Sequence, residues 1–152
     1  MKIISGGQTG VDRAALDIAL RHGIETGGWC PAGRLDEFGT IPDRYPLTEI
    51  ESGSFTDRTW QNVRDSDGTI VIYPATLSGG TKQTVCFCLQ QERPHVLIDG
   101  SNTPANEAAK SIVDFVRKNK IEILNVAGPR QSEWADGYEY ATSALNTFLE
   151  IL

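Results

Sequence analysis

Near its start the chain carries Ile3-Ile4-Ser5-Gly6-Gly7-Gln8-Thr9-Gly10-Val11-Asp12-Arg13-Ala14-Ala15-Leu16-Asp17-Ile18-Ala19, from which the class of fold follows. A short apolar run passes through glycines into a segment where Val11, Ala14, Ala15, Ile18 and Ala19 recur at the 3.6-residue period of one buried helical face. Strand, glycine turn and amphipathic helix form the arrangement in which α/β proteins hold a phosphate. Glycines let backbone N–H groups approach an anion, and the unsatisfied N–H groups of the helix start add partial positive charge. Glycines also serve tight strand-to-helix packing, so for this loop alone both uses stay open.

The same alternation continues downstream. Glu25 to Cys30 falls where a second strand should, although its propensity for one is poor. Pro31 to about Phe55 reads as a long loop broken by Gly33, Gly39, Pro42, Pro46 and Gly53, and loops of that length suggest a lid. Thr56–Asp65 reads as a short helix with Trp60 and Val63 on one side, and Thr69–Tyr73 as a β-branched strand. Ser78-Gly79-Gly80-Thr81 opens a helix to about Gln91, His95–Asp99 is a strand, and Pro104–Asn119 is a helix. Glu122–Ala127 is the last strand, Gly128–Ser132 a loop, and Tyr138–Leu152 the final helix.

Five strands alternating with helices imply an α/β fold, a mostly parallel sheet covered on both faces. Right-handed crossovers place every strand-to-helix loop along the carboxyl edge of such a sheet. Gly6–Gly10, Ser78–Thr81 and Gly128–Ser132 therefore share one rim, and three such loops together point to an anion-binding crevice. Gly6, Gly7, Gln8, Thr9, Gly10 and Arg13 form its first segment, and Ser78, Gly79, Gly80, Thr81 and Lys82 its second. Gly128, Arg130 and Ser132 form the third, with Arg34 of the long loop as a further candidate. Arginine forks match phosphate oxygens in bidentate geometry. Structural alternatives accompany these assignments: a Thr9–Asp12 capping pair, an Arg13–Asp17 helix pair, a solvated Lys82, and a salt bridge from Arg130 to Glu133 or Asp136.

The bulk properties narrow the class. A length of 152 residues fits one domain with a real core. A net charge of −6 and a sequence pI of about 4.9 argue against a nucleic-acid partner. There are three cysteines, the first residues lack signal-peptide architecture, and no apolar stretch approaches the ~20 residues that span a bilayer. A reduced, cytoplasmic protein without a membrane partner is the simple expectation. No metal-ligand spacing surrounds His22 or His95, so no protein metal site is expected.

The string Ser5–Asp17, with Gly27–Arg34, Ile41–Leu47, Arg58-Thr59, Asn62-Val63, Ser66–Thr69, Ser78–Thr81 and Gly128–Arg130, resembles the molybdenum carrier family over nearly the whole chain. That family is related to molybdenum cofactor carrier proteins and, more distantly, to the lysine-decarboxylase-like (Lonely Guy) nucleoside-phosphate hydrolases. The resemblance implies a Rossmann-like three-layer αβα sandwich, homo-oligomers (dimer or tetramer), and binding of a phosphorylated molybdenum cofactor or a related nucleotide or phosphate. Two departures stand out. The hydrolase signature Pro-Gly-Gly-x-Gly-Thr-x-x-Glu meets Ser78–Val85 here, with no carboxylate until Glu92, and Gln131 follows Gly128-Pro129-Arg130 where the carriers usually have a glutamate.

The leading functional expectation is a binding or carrier protein for an anionic phosphorylated ligand, which needs donors rather than a nucleophile. An enzyme of nucleoside-monophosphate N-glycosidase type would recruit Asp12, Asp67 or Glu37 as acid or base. A nucleotide sensor reporting to a protein partner is the third alternative.

Overall fold

The structure, a computed structural model, describes residues 1–52 and 54–152; Gly53, one of the expected loop breakers, lies outside them. In chain order the elements are β1 (Lys2–Ile4), α1 (Val11–Arg21), β2 (Glu25–Gly27), β3 (Trp29–Cys30), β4 (Leu35–Asp36), β5 (Gly39–Thr40) and β6 (Thr48–Glu49). There follow α2 (Phe55–Arg64), β7 (Gly68–Tyr73), α3 (Gly79–Gln90), β8 (His95–Asp99), α4 (Ala105–Asn119), β9 (Ile123–Ala127) and α5 (Gly137–Ile151).

Five of these strands form one sheet in the order β2-β1-β9-β7-β8, and every pairing in it is parallel. Counted with β9 first, the order reads 3-2-1-4-5, the doubly wound arrangement of dinucleotide-binding folds. The strand that leads in that arrangement comes last here. The topology is thus a circular permutation, and its switch point lies between β9 and β7. Helices α1, α4 and α5 pack together over one face, where Ile3, Ile70, Ile72, Leu124 and Val126 meet Ala14, Ile18, Ile112, Leu145 and Phe148. On the other face α2 and α3 pack through Val63, Phe87 and Cys88, with Trp60 set edge-on to Phe87 at 5.1 Å. The α/β sandwich with its five-stranded parallel sheet is as the sequence led one to expect. Leu152, assigned to the last helix, instead lies exposed beyond it.

Two expectations need correction. The stretch Glu25–Cys30 is two strands, because the chain leaves the sheet at Gly28. Gly28 holds φ 125°, and a Cβ there would stand 2.1 Å from the Ser5 carbonyl oxygen, so only glycine fits. Beyond it, β3 pairs in parallel with β6.

The segment from Pro31 to Ile50, expected as part of a lid, is instead a folded part of the core. It contains the β4–β5 hairpin, and Ile41, Tyr45 and Ile50 are each at most 2% exposed. Asp17 of α1 accepts hydrogen bonds from the hydroxyls of Tyr45 and Tyr138, both at 2.5 Å, tying this segment and α5 to one helix. Burial and the neighbouring Asp17 push the Tyr138 hydroxyl up to about 12, so it remains a donor throughout the neutral range. Among the described residues no helix is long and apolar enough to cross a membrane.

Candidate functional site

The three expected loops do lie at the carboxyl edge of the sheet, and the first uses two of its amides internally. Gly7 N–H donates to Ser5 Oγ, Gln8 N–H to Asp12 Oδ2, and Val11 N–H to the Pro129 carbonyl. Its glycines make room for other parts of the chain. A Cβ at Gly7 would meet Leu47 at 2.3 Å, and one at Gly10 would meet the Pro129 carbonyl at 2.5 Å. The glycines of this segment, and its Gly7 and Gln8 amides, thus serve packing within the chain. Asp12 does reach back to the Gln8 amide, but Thr9 does not cap: the N-cap is Gly10, without a side-chain bond. Thr9 instead donates its hydroxyl to Glu37 and accepts from the Gln131 amide.

Beside that segment lies a cavity of about 240 Å³ at the switch point. Gln8 and Asp12 contribute from the first loop and α1, and Phe55, Arg58 and Thr59 from α2. Gly80, Thr81, Gln83 and Thr84 contribute from α3, and Ala127, Gly128, Arg130 and Glu133 from the end of β9 and the loop after it. That volume is below the ~300–1,000 Å³ of clefts that engulf a drug-sized ligand, so it suits one end of a molecule better than a whole dinucleotide.

Two features bring donors and positive charge to the cavity. Helix α3 runs for 12 residues from an N-cap, Ser78, whose side chain makes no capping bond. The first N–H groups of the helix, at Gly79, Gly80 and Thr81, have no intrahelical partner and carry the positive end of its dipole. The second feature is Arg58. Its side chain makes no hydrogen bond among the described residues, its Nε is buried and unpartnered, and its nearest charge, Asp12 Oδ2, is 3.6 Å from Nη1. Gly6 makes that position possible, since a Cβ there would fall 1.8 Å from Arg58 Nη1. The guanidinium also lies over the Phe55 ring, 5.8 Å from its centroid.

Asp12 is 4% exposed, and burial pushes its carboxyl up to about 6 against the opposing pull of Arg58 and the Gln8 amide. Burial in turn lowers Arg58, with Asp12 opposing. A carboxyl poised near neutrality therefore stands beside an arginine whose donors are free.

Of the residues picked out in the sequence, Gln8, Gly80, Thr81, Gly128 and Arg130 line the cavity. Arg130 is half-exposed, and its Nε donates to Glu133 at 3.0 Å, the salt-bridge alternative. Ser78 and Gly79 begin α3 at its edge, and Lys82 is exposed. Three residues are committed elsewhere. Arg13 donates to the Gly7 carbonyl and to Asp36 at 2.9 Å, not to Asp17. Arg34 spends its fork on the carbonyls of Ile41, Pro42, Tyr45 and Leu47, which makes it a clamp for the long segment. Ser132 hydrogen-bonds Glu37, and its bonds together with that of Thr9 hold Glu37 low despite burial. Glu37 and Asp67 do not line the cavity. Asp67 accepts the amides of Glu122 and Ile123, at the edge where β9 begins.

Arg58, Thr59, Phe55 and Thr84 were missed as site residues. Arg58-Thr59 is conspicuous in the sequence only as part of the family string, because an arginine near the start of a short helix otherwise reads as solvated. Among the described residues no group of three or more His, Cys, Asp or Glu side chains could hold a metal ion.

The sequence profile of the circularly permuted YpsA SLOG family matches residues 3–149. A crystal structure from Syntrophus aciditrophicus SB, described as a "Putative molybdenum carrier protein", is similar to this chain at 43% identity and a TM-score of 0.96. The match covers 97% of this chain and 94% of that one. No curated protein matches significantly.

Proposed function

This chain belongs to the circularly permuted YpsA SLOG family, and from that membership and the cavity we propose a carrier that holds a small phosphorylated ligand at the carboxyl edge of its sheet. The observation that carries the reading is the convergence of two sets of unspent donors on one cavity. These are the uncapped start of α3 at Gly80 and Thr81, and the Arg58 guanidinium. Arg130 would join them by exchanging Glu133 for the anion, while Gly128 keeps the backbone close. The name of the 43% identical relative makes molybdenum cofactor the leading cargo. The metal would arrive on the cofactor, and the chain would supply only phosphate donors.

The hydrolase reading finds less support. Counting along the signature from Gly80-Thr81 puts Thr84 where its glutamate would stand, and the Thr84 hydroxyl donates to the Gly80 carbonyl. The homo-oligomer that the resemblance implies would show as the mass of the native particle.

Native mass spectrometry with elemental analysis of freshly purified protein tests the proposal. The expected result is a retained phosphorylated species with molybdenum in stoichiometric amount. Charge-assisted bonds contribute roughly 1.5–3 kcal/mol, so Arg58→Gln should weaken binding of that species about 10- to 150-fold. Protein that is empty as purified, and that binds no phosphate monoester by calorimetric titration, would refute the reading.

A further inference from the structure

Four charged side chains line the cavity, and they cancel in pairs. Arg58 Nη1 lies 3.6 Å from Asp12 Oδ2, and Arg130 Nε lies 3.0 Å from Glu133 Oε1. Arg13, the cation beside Asp12 on α1, is taken by Asp36 at 2.9 Å. The α3 wall offers Gly80, Thr81, Gln83 and Thr84, none of them charged, and the start of that helix adds only about half a positive charge. A doubly charged anion therefore enters a cavity whose side chains hold no surplus cation.

The two carboxylates respond differently. Glu133 is exposed, so it can swing into water and release Arg130. Asp12 cannot leave: it is 4% exposed, and its Oδ2 accepts the Gln8 amide from inside the fold. An anion gripped by Arg58 thus comes to rest close to the Asp12 carboxyl, because both share one guanidinium. Negative oxygens crowded together in a buried site are stable only when a proton lies between them. Gln8 Oε1, another acceptor of this cavity, is buried and has no partner among the described residues, so the chain brings no proton of its own to these lone pairs. Burial already pushes the Asp12 carboxyl up to about 6 against the pull of Arg58, the Gln8 amide, Arg13 and the Gly128 backbone.

We propose that the cavity takes a phosphate monoester together with one proton, shared between the ester and Asp12, so that Asp12 makes binding proton-coupled. The proposal rests on the phosphate reading given above. The proton comes from solvent, since above neutrality Asp12 and the ester, whose second pKa is about 6, are both ionised before they meet.

The test is calorimetric titration with ribose 5-phosphate from pH 6 to pH 8.5, each pH in two buffers of different protonation heat. Wild type should take up close to one proton per ligand at pH 8, and its affinity should fall about tenfold per pH unit above pH 7. Asp12→Asn should take up none there, lose that slope, and bind more tightly than wild type at pH 8. A merely structural Asp12 would instead leave the slope in place and lower affinity at every pH. Glu133→Gln should strengthen binding and keep the slope, because Glu133 moves aside rather than sharing the proton. Thermal melts confirm that both variants fold, and the wild-type buffer comparison needs neither. Absence of proton uptake by wild type, a slope retained in Asp12→Asn, or a slope lost in Glu133→Gln overturns the proposal. If ribose 5-phosphate binds at no pH, the phosphate reading itself fails and the proton coupling falls with it.

Discussion

Arg58 reaches the cavity because residue 6 has no side chain. A methyl at Gly6 would stand 1.8 Å from Nη1, but that atom is the far end of a flexible side chain, so the fold can yield by moving the guanidinium. Gly6→Ala should therefore melt within a few degrees of wild type and lose phosphate-monoester affinity nearly as far as Arg58→Gln. Thermal melts and calorimetry on the pair check this, and a variant that binds normally would detach Arg58 from the site. The glycine string was legible as a motif, but its purpose was not, since the group that fills the space comes from a residue 52 positions later.

Asp12 gives a second prediction at this scale. Its carboxyl is raised from 3.8 to about 6, so the folded state binds more protons than the unfolded state between those values. Stability tied to this group is present at low pH and falls as pH rises through that window, by on the order of 3 kcal/mol. Asp12→Asn keeps an acceptor for the Gln8 amide without the charge. Its Tm relative to wild type should climb from pH 4 to pH 7, and a difference that stays flat with pH would contradict the assignment.

At the scale of elements, the helices and main strands followed from periodicity within a residue or two of their ends. The 25–55 region did not. Its strands are two or three residues long, its buried residues are held by Arg34 and Asp17 from outside any periodic pattern, and Gly28 redirects the chain through a contact with Ser5. Gly80 and Gly128 separate packing from binding in the same way. A Cβ at Gly128 would meet the Ile72 carbonyl at 2.5 Å and Val11 Cβ at 2.6 Å, both fixed parts of the core. A Cβ at Gly80 meets nothing within 4 Å. Gly128→Ala should cost about 3 kcal/mol or more in denaturant unfolding, on the scale of a severe core overpacking. Gly80→Ala should leave stability within about 1 kcal/mol, because alanine improves helix propensity, yet it should weaken ligand binding by placing a methyl at the mouth of the proposed anion site.

For the whole molecule, the shared carboxyl-edge rim of the three loops was legible because parallel sheets built from right-handed crossovers leave no other rim for them. Strand order was not legible, since nothing local in Ile123–Ala127 says that this last strand pairs between β1 and β7. Helix α5 runs back from the carboxyl end of β9 and packs on α1, so it ends near the edge where β1 begins. Joining Leu152 to Met1 by a short glycine-serine linker and opening the chain at Lys120–Ile121 should give a folded protein with the same cavity and an unpermuted 3-2-1-4-5 order. Circular dichroism and ligand titration would report success, and an unfolded product would mean that the present connection order is required.

In the proposed carrier the anion would be held by the start of α3 and Arg58 rather than by the Gly6–Gly10 segment. Titrating ¹⁵N-labelled protein with ribose 5-phosphate, while following backbone amide shifts, tests it most directly. The expected result is that the largest saturable shifts fall at Gly79, Gly80 and Thr81 and are lost in Arg58→Gln. Shifts centred on Gly7, Gln8 and Val11 instead, or none that saturate, would contradict it.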